Sequence, residues 1–121
     1  MVEAILYERL STDTALTTLC PRIRPSEPEV NEAVPFLFYT VNGREQSTNL
    51  DGMSSIANYS FTVDVWAVNA ADIAPIVDRL NELLNGWRAG EVKLCRNTGH
   101  TTDTQERGYH AQESYSVWAA A

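Results

Sequence analysis

No stretch of eighteen apolar residues occurs in this 121-residue chain, so no transmembrane helix is expected. The opening MVEAILYERL places Glu3 and Glu8 where a secretory signal peptide carries a basic segment and a longer apolar core, and export by that route is not expected. Basic residues are scarce, nine against sixteen acidic ones, for a formal net charge of −7. They are also scattered, with Arg22 and Arg24 the nearest approach to a pair. A ligand with a phosphate backbone needs a basic face that releases counterions, so nucleic acid is disfavoured as the main ligand. There are only two cysteines, Cys20 and Cys95, too far apart in sequence for a metal or redox motif. A reducing cytoplasmic setting, with both as small core residues, is the simplest reading.

Signatures of chemistry are equally sparse. A glycine-rich phosphate loop, a P-loop lysine and a G-x-S-x-G elbow are all missing. His100 and His110 have no His, Cys or carboxylate at metal-ligand spacing and read as surface histidines. Cys95 with either histidine is the one nucleophilic pairing that residue types allow, set against an inert buried thiol. Asp64 reads as a solvated residue on the outer face of a strand. Neither a catalytic residue nor a metal or cofactor is expected.

What remains is an ordinary globular composition, 44% hydrophobic and 21% charged, whose length suits one domain over residues 1–121. Val2, Ile5, Leu6 and Leu10 recur at helical spacing, then Ser11, Thr12 and Asp13 offer caps for a second short helix ending at Cys20-Pro21. Residues 21–35 hold four of the five prolines and read as a loop with a short edge strand at Arg22 to Arg24. Phe36 to Val41 is apolar on both parities, as in a central strand. Ala57 to Ala67 alternates cleanly, with Tyr59, Phe61, Val63 and Val65 on one face.

Ile73, Ile76, Val77, Leu80, Leu83, Leu84 and Trp87 then mark an amphipathic helix capped by Asn69 or Asp72, with Pro75 tolerated if Asp72 is the cap. Glu91 to Arg96 alternates with Val92 and Leu94 on one side and Lys93 and Cys95 on the other. The last strand, Tyr109 to Ala119, turns Tyr109, Ala111, Tyr115 and Val117 inward, with Glu113 out of pattern. Two polar stretches, Gly43 to Ile56 and Asn97 to Gly108, read as long loops of the kind that carry function. The order predicts an α+β fold: a mostly antiparallel sheet of about four to five strands, packed by an N-terminal helix and one longer amphipathic helix.

Val-Trp-Ala occurs twice, in FTVDVWAV and SYSVWAAA, and both tryptophans fall on the polar parity of their strands. Trp66 and Trp118 are therefore either braces at the core boundary or anchors of a protein interface. Candidate contact residues are these two, Arg44, Leu50, Asp51 and Met53 in the first polar stretch, and His100 and Arg107 in the second.

The sequence of segments resembles the tail completion proteins of long-tailed bacteriophages, also called tail terminators or tail-to-head joining proteins. The likeness covers nearly the whole chain. It rests on ILYERLSTDTALTTL, Ile23-Arg24-Pro25, the strand PFLFYTV, the Leu50-Asp51-Gly52 turn, FTVDVWA, the amphipathic helix and the closing YSVWA. The proline-rich acidic stretch Pro25 to Val34 departs from the pattern. The resemblance implies a non-enzymatic virion assembly protein that forms a ring, six-membered by the family's habit, at the head-proximal end of the tail tube. Its implied partners are further copies of itself, the tail tube protein and the head connector or stopper, with DNA passing through unbound and no membrane. The implied location is the tail-neck region of the virion, after assembly in the host bacterial cytoplasm. A small adaptor or ligand-binding α+β domain is the alternative, and a thiol enzyme using Cys95 a more distant one.

Overall fold

A computed structural model describes residues 2–25, 35–49, 52–90, 92–105 and 108–120. Helix α1 (Val2–Ser11) turns Leu6 and Leu10 into the core. Helix α2 (Thr14–Leu19) starts where the sequence offers a cap: the Asp13 carboxylate accepts from the Leu16 amide at 2.8 Å. It stops at Cys20, one residue before Pro21. Strand β1 (Arg22–Arg24) follows, then β2 (Phe36–Asn49), β3 (Gly52–Ala67), helix α3 (Ala70–Leu84), β4 (Val92–Gln105) and β5 (Gly108–Ala120).

The five strands form one sheet in the order β1-β2-β3-β5-β4. β1 pairs with β2 in parallel and every other pairing is antiparallel. The result is the expected α+β fold, mixed but mostly antiparallel. Leu37, Tyr39, Phe61, Val63, Val65, Tyr115 and Val117 fill the core with Ile76, Leu80 and Leu84 of α3. Burying each such side chain contributes roughly 1.5–3 kcal/mol. The three described helices pack on this face.

Three expectations need correction. The polar stretches Gly43 to Ile56 and Asn97 to Gly108 are mainly strand, because β2–β3 and β4–β5 are long hairpins. Register shifts at Val41/Gly43, Gln46/Thr48 and Asn97/Gly99 interrupt the alternation there, so the period-two signal vanishes while the pairing continues. A further shift between Val92 and Leu94 puts Val92 and Cys95 together on the buried side, opposite Ala119 and Val117, where simple alternation had separated them. Pro75 lies inside α3 and not in its first turn, since Asn69 is the cap. The ring's missing N–H removes a bond to the Ala71 carbonyl on the exposed side of the helix.

Helix packing rests on two arginines. Arg79 of α3 grips the Asp13 carboxylate with Nε at 2.9 Å and Nη2 at 2.6 Å, tying α2 to α3. Arg9 of α1 donates from Nε and Nη2 to the Leu83 carbonyl, one of the last-turn acceptors that α3 cannot satisfy itself. Its guanidinium also lies 5.3 Å from the centre of the buried Trp87 ring.

Candidate assembly surfaces

The two repeated tryptophans lie on the same face of neighbouring strands, opposite the helices, but their surroundings differ. Trp66 is 8% exposed, stacked between Phe36 at 6.3 Å and His110 at 4.4 Å. Trp118 is 39% exposed and pairs with Asn58, eight residues back along β3 from Trp66. At strand rise that is about 27 Å. One tryptophan is covered within the protomer and the other is open.

His110 is not a simple surface histidine. Its Nε2 lies 2.7 Å from Asp64 and its Nδ1 2.9 Å from Asp103, so one ring links β3, β5 and β4. Only a doubly protonated imidazole donates from both nitrogens. Asp64 is buried, not solvated, and Gln112 Nε2 donates to it at 3.1 Å. In sequence these residues show only as polar positions on alternating strands. The β3–β5 register, with Trp66 opposite His110 and Asp64 opposite Gln112, is what brings them together.

Glu113 falls on the inward face of β5, opposite Val63, and is buried. His100 Nδ1 bonds one carboxylate oxygen, while Asn81 and Asn97 donate to the other at 3.4 and 3.5 Å. The Tyr115 hydroxyl donates to Asn81 Oδ1 at 2.9 Å, and burial pushes that phenol above its ordinary range. This network is the satisfied form in which a buried carboxylate is tolerated. It floors a groove of about 720 Å³ between α3 and the β4–β5 hairpin, walled by Ile73, Ala74 and Val77. His100 stands half exposed at its rim.

Arg44 lies over the Tyr59 ring at 5.9 Å on an exposed stretch of β2. Met53 is near the start of β3, at the tip of the same hairpin. Leu50, Asp51 and Arg107 lie outside the described residues, as do residues 26–34 of the proline-rich stretch. The structure thus brings Trp66 and His100 into separate polar clusters and leaves Trp118 and Arg44 at other points of the sheet.

Both cysteines are fully buried, and burial pushes each thiol up to about 12. That opposes a Cys95 nucleophile, which requires an accessible thiolate. No group of three or more His, Cys, Asp or Glu suited to a metal ion occurs among the described residues.

A mostly antiparallel sheet backed by the described helices on one face, with His100 and His110 tied to acids across strands, defines an α+β fold. The family model for Tail completion protein gp17 matches residues 4–120, and the chain belongs to that family of structural proteins of bacteriophage tail assembly. No curated sequence matches it. Among solved structures it is similar to a chain described as "Virion of native gene transfer agent (GTA) particle", with a TM-score of 0.73 and 12% identity over 99% of this chain and 95% of that one. At that identity the likeness shows a shared fold.

Proposed function

We propose that the protein closes the head-proximal end of the tail tube as a ring of identical copies and joins the tube to the head connector. Membership of the tail completion family over residues 4–120 carries this reading. The exposed Trp118 supports it, because a large aromatic open on the sheet face opposite the described helices is a typical interface anchor. The net charge of −7 also suits a channel through which DNA passes without being gripped. The protein acts without catalysis, in the tail-neck region, after assembly in the host cytoplasm.

Native mass measurement and negative-stain imaging test the proposal. Rings, or capping of purified tail tubes, are expected; a monomer at high concentration that leaves tubes uncapped would sink it. Trp118→Ala should weaken ring formation or tube capping at least tenfold while moving the thermal midpoint little, since the ring is not part of the core. The groove beneath α3 favours a second reading, a small-ligand domain, whose sign would be a persistent monomer that takes a ligand there.

A further inference from the structure

Charge is spread unevenly along β4 and α3. Three of the nine basic residues, Arg88, Lys93 and Arg96, fall at or just before the start of β4. All three are exposed, and none has a side-chain hydrogen bond or ion pair among the described residues. Arg88 and Lys93 flank the bridge between Ala89 and Val92, whose amides donate to each other's carbonyls at 3.1 and 2.9 Å. The buried Trp87, one residue earlier, anchors this tight turn in the core. Two like charges held side by side on paired strands repel, and an acidic partner relieves that repulsion. The groove between α3 and the β4–β5 hairpin has the opposite character. Glu113 floors it, Asp78 and Asp103 line it, and no described lysine or arginine does. Asp78 is exposed and has no side-chain partner among the described residues, since Arg79 beside it is committed to Asp13 and Glu82. Both histidines of the groove are already bonded to acids, His100 to Glu113 and His110 to Asp64 and Asp103.

Resting on the ring reading above, we infer that the turn bearing Arg88 and Lys93 in one copy docks in the α3 groove of the next, as the head-to-tail contact of the ring. The two patches do not meet within a copy. Lys93 and His100, which stands at the groove's rim, are seven residues apart on β4, about 20 Å at strand rise. Arg96 is nearer but faces the other side of the sheet, in register with Ser116. A cyclic ring needs two different, complementary patches on each copy, and this chain carries both. The turn follows the C-terminal end of α3 while Asp78 and the apolar wall lie along its earlier turns, so copies placed one behind another along α3 can bring turn and groove together. Docking turn on turn or groove on groove sets like charges against each other, so charge selects the mixed contact. The groove's volume of about 720 Å³ admits the tip of a turn, and Ile73, Ala74 and Val77 offer it apolar surface.

Arg88 and Asp78 are both exposed, so Arg88→Glu and Asp78→Arg each set like charges across the contact and leave the core alone. Each variant should retain the wild-type thermal midpoint and need at least tenfold more protein than the wild type to form rings, read by native mass spectrometry over a concentration series. The double variant, in which the two charges are exchanged, should recover most of that loss. Assembly unchanged in either single variant, or a double variant no better than the singles, overturns the contact and leaves the ring standing. Variants that form rings normally but cap tail tubes poorly also overturn it, and assign the patch to the tube protein. A wild type that forms no ring, even on tail tubes, overturns the ring reading and this contact with it.

Discussion

Asp13 combines two roles, of which only the pairing with Arg79 requires its charge. Its carboxylate caps α2 through the Leu16 amide and receives two donors from Arg79, sixty-six residues away. Hydrogen bonding to Arg79 is the main influence holding its acidity below the ordinary value of 3.8, with burial working against it. Because the folded-state value is the lower one, the stability from this group is fully present above pH 3.8 and is lost as pH falls through the folded value. Asparagine caps a helix about as well as aspartate but neither titrates nor pairs with arginine. Asp13→Asn should therefore flatten the acid limb of a stability–pH curve measured by urea titration, and Asp13→Ala should lose the cap as well, about 1 kcal/mol at neutral pH. An acid limb in Asp13→Asn identical to the wild type would contradict the assignment. The cap was legible in Ser-Thr-Asp before an apolar run. Its partner was not, because nothing local distinguishes Arg79 from any other arginine on the exposed side of a helix.

Elements were legible wherever one face of a regular segment meets the core. FTVDVWA and the stripe of α3 carry clean periods of 2 and 3.6, and both form as read, except that α3 ends at Leu84 and Trp87, counted in its stripe, packs into the core from beyond the helix. Hairpin length was not legible, because each bulge shifts the parity of the residues beyond it and the outer halves of β2 and β4 have little apolar surface to bury. The same shifts concealed the polar clusters: Glu113 registers only as an exception until His100 is known to lie opposite it. Gly108, which opens β5, shows how closely the hairpin packs. Its φ is +130°, and a Cβ placed on it would lie 2.5 Å from the Ala67 carbonyl oxygen. Gly90 also has positive φ, +56°, but open space around it. Gly108→Ala should thus destabilise by about 1–3 kcal/mol in denaturant unfolding and Gly90→Ala by less. Equal losses at the two sites would show that backbone conformation alone sets the effect, with no close approach between β5 and the end of β3.

At the scale of the whole molecule, the cysteines test whether the chain unfolds as one unit. Cys20 lies beside β1 and Cys95 on β4, at opposite ends of the sheet order. Between them stand two hairpins that share only the β3–β5 ladder. Separate opening of the β4–β5 hairpin would break that ladder and expose Glu113 and the floor of the α3 groove. It would also uncover Ile73, Val77 and Leu80, which pack on the sheet from above. Such a state loses apolar burial on two elements at once, so opening of the hairpin alone is expected to be rarer than it would be for a hairpin without a helix packed on it. Each thiol is buried and held mainly in its unreactive protonated form, so labelling must wait for opening. A thiol reagent in excess should therefore modify Cys20 and Cys95 at one common rate, equal to that expected from global unfolding, when the two labelled peptides are followed by mass spectrometry. Faster labelling at Cys95 would mean that the β4–β5 hairpin opens by itself, as a unit separate from the β2–β3 hairpin.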